Sequence, residues 1–295
     1  MLVCRAPRDF LTSTFLIHKK EDMTAPRTPL RVGIAGLGAV GKKVAAALDA
    51  GGIPGMVLSA IAVRDEARAR ASLSLQVATP VFTDIDHLAD HCDVVVECAP
   101  GALLGRIATP VLTAGKTMVV LSAGALLSNM ELVDIARAHG GTIVVPTGAL
   151  LGLDAVCAAA EGTIESVRMV TRKPVRGLVG APYLVEHNIV IDDITEPLRI
   201  FSGSPREAAV GFAANLNVAV ALSLAGIGPD RTVLEVWADP GIDRNTHRIE
   251  VVSDSASFSM EIRNIPTENP KTGRITALSV IAALRKMTAP LRVGT

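Results

Sequence analysis

Three glycines at fixed spacing, Gly36, Gly38 and Gly41, punctuate the run RVGIAGLGAVGKK over residues 31–43 and constrain everything that follows. The apolar stretch over residues 32–35 reads as a strand that delivers the chain into a tight turn at Gly36. Gly38 has no side chain to keep a pyrophosphate from the backbone, and Gly41 lets the next helix lie close on the strand. Ala39 and Val40 belong to the same turn, and the first-turn N–H groups of the helix that follows lack intrahelical partners, with a dipole that favours an anion. The turn therefore reads as a dinucleotide phosphate site. Glycines of this spacing also suit an ordinary strand-to-helix turn, and the alternating pattern downstream favours the nucleotide reading.

Composition narrows the class. With 295 residues the chain holds one large domain or two ordinary ones. Its 29 basic and 29 acidic residues cancel, with no run of like charge, which argues against nucleic acid or a membrane surface as partner. An aromatic content of 3% argues against a base-stacking platform. Apolar stretches are interrupted well before spanning length, so no transmembrane helix is expected. Cys4, Cys92, Cys98 and Cys157 show neither CxxC nor zinc-ligand spacing, which fits a reduced, cytoplasmic compartment. There is no HExxH or other ligand cluster, and no metal is expected. No GxSxG nucleophile elbow is present either.

Residues 1–28 read as an N-terminal extension, expected to be disordered. Met23 opens an ordinary start for such a domain, so residues 1–22 are expected to be dispensable or to follow a misplaced start codon. A helix is expected over 42–50 and a second strand over 57–63. At its tip, Asp65 could receive the ribose hydroxyls of NAD, while Arg64 could equally pair with the 2′-phosphate of NADP, so the cofactor is NAD or NADP. Strands over 81–82, 93–98, 116–122 and 142–145 alternate with helices over 86–90, 103–114 and 130–139, with a turn at 123–125. Such alternation implies right-handed crossovers and a doubly wound parallel sheet. Ligands in such sheets sit beyond the carboxyl ends of the strands, which gathers Gly36 to Gly41, Ala99, Ala125 and Ala149 around one crevice.

From about residue 150 the pattern becomes α+β. Strands are expected over 165–171, 199–201, 232–239, 246–253 and 258–264, in an antiparallel sheet, with one long helix over 205–224 that contains Asn215 and Asn217. A final helix over 274–286 carries Ile275, Leu278, Ile281 and Leu284 at helical spacing and is expected to return to the first domain. The expected domains are a dinucleotide-binding unit of residues 29–147 and 269–295 and an α+β substrate unit of residues 148–268.

Several blocks are more specific than the glycine turn: LSAGAL at 121–126, GALLGLDA at 148–155, TRKP at 171–174, NLNVAVALSLAG at 215–226, WADP with RNTH between 237 and 247, and ENPKTGRITALSVI at 268–281. With GLGAVG at 36–41 they resemble the L-aspartate dehydrogenases, over roughly residues 30–290. The resemblance implies an N-terminal Rossmann domain joined to an α+β domain like the C-terminal half of dihydrodipicolinate reductase. It implies oxidation of L-aspartate to iminoaspartate with NAD or NADP, a product that can feed NAD synthesis, by a homodimeric enzyme. The family's catalytic histidine falls on His247, and its alanine and asparagine contacts to cofactor fall on Ala149, with Ala125 as a second candidate, and on Asn217. One departure stands at the second strand's tip, where some members carry Asp and this chain has Ala62.

The chemistry has its own requirements. A substrate ammonium must lose a proton before hydride leaves the α-carbon, and water must then attack the imine; a group titrating near neutrality serves either step. Of six histidines, His247 alone stands at a strand edge in the second half, with Asp239 or Asn245 able to hold its ring. Two substrate carboxylates need fixed cationic or amide donors. The candidates are Arg172 with Lys173, Arg244 with Asn245, and Lys271 with Thr272 in the Asn-Pro-Lys-Thr turn. Two rivals stay open: a reductase of another small imine or carbonyl on the same fold, disfavoured for dihydrodipicolinate by the lack of an HxxxKxDxPSG-like element, and a non-catalytic NAD(P)-binding protein.

Overall fold

The computed structural model describes residues 28–212, 216–266 and 273–295. The N-terminal stretch expected as an extension, apart from Thr28, and the residues Asn215, Lys271 and Thr272 lie outside the described residues. The strands are β1 (Leu30–Ala35), β2 (Met56–Ala62), β3 (Val81–Thr83), β4 (Val94–Glu97), β5 (Thr117–Val120), β6 (Thr142–Val144), β7 (Ile164–Lys173), β8 (Leu198–Gly203), β9 (Val233–Ala238), β10 (Thr246–Ser253) and β11 (Ser257–Arg263). The helices are α1 (Ala39–Asp49), α2 (Glu66–Ser72), α3 (Leu104–Thr113), α4 (Ala123–Leu126), α5 (Glu131–His139), α6 (Leu153–Ala160), α7 (Pro182–Glu186), α8 (Pro205–Gly211), α9 (Asn217–Ala225) and α10 (Arg274–Thr288).

The first six strands form one sheet in the order β3-β2-β1-β4-β5-β6, with every neighbour parallel. The chain direction across the sheet reverses between β1 and β4, and that switch point opens a crevice at the strands' carboxyl ends. Successive side chains of β4 point to opposite faces, so Val95 packs with Leu104, Ile107 and Leu112 of α3 while Val94 and Val96 pack with Val44 and Leu48 of α1. Both faces are covered, as an all-parallel sheet requires. The last helix, α10, packs on α1 and adds Val280 and Leu284 to that second face. Its buried stripe is Ala277, Val280 and Leu284, whereas Ile275 and Leu278 are exposed. Of the four apolar residues expected at helical spacing, Leu284 is buried and Ile281 packs partly against the same core, while Ile275 and Leu278 lie on another side of the helix, because α10 carries apolar residues on more than one side and only the docking partner selects among them.

The other five strands form a second sheet, β11-β10-β7-β9-β8. It is mixed, not antiparallel: β7 and β9 run parallel, and the remaining pairs are antiparallel. Between those two parallel strands the chain crosses over through α7, β8, α8 and α9. One face packs Val167, Met169, Leu234, Val236, Ile249 and Val251 against Val156 of α6 and Val220 and Leu222 of α9. The single helix expected over 205–224 is two, α8 ending at Gly211 and α9 beginning at Asn217. Phe212, at the end of α8, leaves helical geometry and is buried in a ring cluster with Tyr183 and Phe201. Among the described residues no helix is long and apolar enough to cross a membrane.

Candidate active site

The glycine turn is built by close approach. Gly36 has φ +95°, and a Cβ there would lie 2.7 Å from the Cys98 carbonyl oxygen, at the end of β4. A Cβ on Gly41 would lie 2.2 Å from the Gly36 carbonyl oxygen, so α1 sits directly on the turn. Gly38, by contrast, faces open space and caps α1 without any side-chain hydrogen bond. The N–H groups of the first turn are therefore left for an anion lying over Gly38, the arrangement that a dinucleotide pyrophosphate fits.

A cleft of about 290 Å³ begins at this turn. It is lined by Gly38, Ala39, Val40, Cys98 and Ala99 on the nucleotide side, and by Lys173, Asn217, Asn245, His247 and Asn264 on the other. Ala149 also lines it; Ala125 does not, although it lies close by, within reach of Gly101. Asn217 ties the two halves together: its Oδ1 accepts from the Gly124 N–H at 3.0 Å, which leaves its amide N–H groups as donors. Arg64 and Asp65 lie away from the cleft, exposed at the start of α2, where Asp65 accepts from the Arg68 N–H at 2.9 Å as the N-cap.

Glu97, unnoticed at the end of the apolar run DVVVEC, is fully buried beneath the cleft. It accepts from the N–H groups of Leu121 and Ser122, at 3.1 and 2.8 Å, and from the Ser122 hydroxyl at 3.0 Å. Burial raises its carboxyl above the usual range, against the pull of these donors. It pins the loop after β5 to the end of β4. A glutamate inside an otherwise apolar strand was the available signal.

On the far wall, antiparallel pairing of β10 with β7 sets His247 opposite Thr171, with Lys173 two residues farther along the same face of β7. All three are buried; Lys173 is 4% and His247 3% exposed, although both line the cleft. The Thr171 hydroxyl lies 3.2 Å from His247 Nδ1, so Thr171 holds the ring. Neither residue expected for that task takes it. Asp239 accepts from the Gly241 N–H and pairs with Arg172, while the Asn245 carbonyl accepts from the Asn264 N–H. Burial, and secondly the charge of Lys173, lower the His247 pKa to about 3, so the ring is neutral near pH 7. Arg172 stands over Trp237, and Arg244 pairs with exposed Asp243, so neither is aimed at the cleft.

Asn264, immediately after β11, was also missed. Its Nδ2 donates to the Ala149 carbonyl at 2.8 Å, and among the described residues its buried Oδ1 has no hydrogen-bond partner. An unsatisfied buried acceptor costs about 1–3 kcal/mol. The pairing of β11 with β10, which the Asn264 N–H to Asn245 carbonyl bond extends, brings Asn264 to this wall, and no local pattern announces that. Among the described residues no group of three His, Cys, Asp or Glu side chains could hold a metal.

Comparison with known proteins agrees with this layout. Residues 36–146 match the family model described as homoserine dehydrogenase, NAD binding domain, and residues 154–287 match aspartate dehydrogenase, C-terminal. The chain is 61% identical to an L-aspartate dehydrogenase of Bradyrhizobium diazoefficiens, over 93% of this chain and 97% of that one. It is equally identical to L-aspartate dehydrogenase 3 of Bordetella bronchiseptica, over 91% and 99%. The crystal structure of aspartate dehydrogenase from Thermotoga maritima shares the fold, with a TM-score of 0.69 at 21% identity over 90% of this chain and 99% of that one. The nucleotide half is thus an NAD-binding domain. With identity at this level running through both halves, the chain belongs to the L-aspartate dehydrogenase family.

Proposed function

We propose that this protein is an NAD(P)-dependent L-aspartate dehydrogenase, converting L-aspartate, oxidised cofactor and water to oxaloacetate, ammonium, reduced cofactor and a proton, and running reversibly. The observation that carries the reading is one cleft in which an open glycine turn and the buried Lys173–His247 wall face each other. The bound cofactor supplies a hydride acceptor. Gly38, Ala39 and Val40 hold its phosphates, and Asn217 and Ala149 orient its reactive end.

Lys173 receives a substrate carboxylate, assisted by Asn245 and by Lys271 and Thr272 beyond the described residues. His247 is the general acid/base. Its ring is a weak base, because burial and the Lys173 charge oppose its protonation. The substrate carboxylate on Lys173 offsets that charge, so binding raises the affinity of His247 for a proton where the substrate ammonium and the attacking water must release one. Thr171 holds Nδ1 and leaves Nε2 for that exchange. A homodimer, a cytoplasmic location and a supply of imine to NAD synthesis belong to the same reading; they rest on the resemblance and on the scattered cysteines.

The test follows reduced-cofactor absorbance with L-aspartate plus NAD or NADP, and with oxaloacetate plus ammonium, for wild type and His247→Ala. Wild type should turn over in both directions, and the variant should bind cofactor but lose activity by at least about a hundredfold. A wild type that binds cofactor and turns over neither pair would redirect the search to other small imines or carbonyls.

A further inference from the structure

Glu97 is a buried acid with no part in the proton transfers. Among the described residues that line the cleft it is the one carboxylate, and Lys173 is the one lysine or arginine, on the opposite wall. Both carboxyl oxygens of Glu97 act as acceptors: Oε2 takes the N–H groups of Leu121 and Ser122, and Oε1 takes the Ser122 hydroxyl. Three donors converging on one carboxyl group suit its ionised form, which can only accept. Among the described residues no lysine, arginine or histidine pairs with it. A carboxylate held out of water by neutral donors alone is costly to bury, and the three valines that precede it in β4 show what the strand would otherwise hold.

Its place gives that charge a use. A dinucleotide held by its phosphates over Gly38 must cross Cys98, Ala99, Leu121 and Ser122 to bring its reactive ring to the Lys173–His247 wall. Glu97 precedes the first two in the chain and is hydrogen-bonded to the last two, so it lies at the base of that crossing. The nicotinamide ring is a cation when oxidised and neutral when reduced. Lys173 opposes a positive charge in the cleft, as it does on His247. We infer that the Glu97 carboxylate offsets this from the opposite wall, favouring oxidised over reduced cofactor and so making the bound reduced cofactor a readier hydride donor than the free one. Glu97 acts through its charge and touches no substrate. The inference rests on the cofactor site and is independent of which amine or carbonyl is the substrate.

The experiment measures three dissociation constants on wild type, Glu97→Gln and Glu97→Asp, with the thermal midpoint of each protein. The ligands are oxidised and reduced cofactor, NAD or NADP as wild type prefers, and a neutral-ring isostere in which benzamide replaces nicotinamide. The isostere differs from oxidised cofactor in charge and not in shape. Wild type should bind oxidised cofactor at least about tenfold more tightly than the isostere, as expected for opposite charges in a poorly solvated cleft. Glu97→Gln should remove most of that preference and shift the ratio of oxidised to reduced Kd about tenfold towards the reduced form. Glu97→Asp keeps the charge and should hold both ratios within about threefold of wild type. Looser packing alone weakens all three ligands alike, so equal losses in Glu97→Gln, or ratios that do not move, overturn the inference. Loss of the preference in Glu97→Asp as well would assign it to side-chain length and overturn it too. The isostere comparison needs wild type only, so it reports even if the variants fold poorly, and an isostere that binds as tightly as oxidised cofactor defeats the inference. A wild type that binds none of the three ligands defeats the cofactor site itself, and this inference with it.

Discussion

Thr171 and His247 face each other across the β7–β10 pair with Oγ1 3.2 Å from Nδ1, both side chains buried. A hydroxyl can donate or accept, so it suits the ring in either neutral tautomer, whereas a carboxylate would favour the charged ring that this wall excludes. Thr171→Val keeps the shape and removes the partner. It should lower kcat about tenfold or more, with cofactor Kd unchanged, and Thr171→Ser should restore most of the loss. Equal activity in Thr171→Val would remove Thr171 from the positioning of His247.

The depressed pKa of His247 has a consequence for stability. The folded ring titrates at about 3 and the unfolded one near 6.5, so between those values the unfolded chain binds a proton that the folded chain does not. Stability then rises with pH across this window and is lost as pH falls below about 6.5. The slope from one such group is at most about 1.4 kcal/mol per pH unit. Denaturation of wild type and His247→Asn between pH 4 and 8 should show a steeper acid loss in wild type, and parallel curves would contradict the buried neutral ring.

What the sequence made legible was what neighbours in the chain decide. The turn at Gly36, Gly38 and Gly41 is a local steric statement, and the position of His247 at the start of β10 follows from its own strand. The partners that give these residues their chemistry come from far away. Thr171 lies 76 residues from His247, Asn264 lies 115 from Ala149, and Asn217 lies 93 from Gly124. The mixed direction of the second sheet escaped notice for the same reason, since it depends on which strands meet and not on what each contains.

Gly38 and Gly41 are glycines for different reasons, and alanine separates them. At Gly41 a Cβ collides with backbone at 2.2 Å, so Gly41→Ala should lower the thermal midpoint and weaken cofactor binding together. At Gly38 the Cβ meets nothing and φ is −72°, so Gly38→Ala should leave the midpoint within a degree or two while raising cofactor Kd about tenfold. A Gly38→Ala protein with wild-type cofactor affinity would place the pyrophosphate elsewhere.

The choice between NAD and NADP turns on the end of β2. Ala62 is buried there and cannot bind a ribose hydroxyl through a carboxylate. Asp65 already caps α2 through the Arg68 N–H, and Glu66 pairs with Arg70. Arg64 is exposed and, among the described residues, makes no ion pair, which leaves its guanidinium for a 2′-phosphate. Wild type should therefore bind NADP at least as tightly as NAD. Arg64→Ala should raise the Kd of NADP about tenfold and leave that of NAD nearly unchanged, with the difference shrinking as salt screens the exposed charge. Equal effects on both cofactors in a titration at low and high ionic strength would show that Arg64 does not read the phosphate.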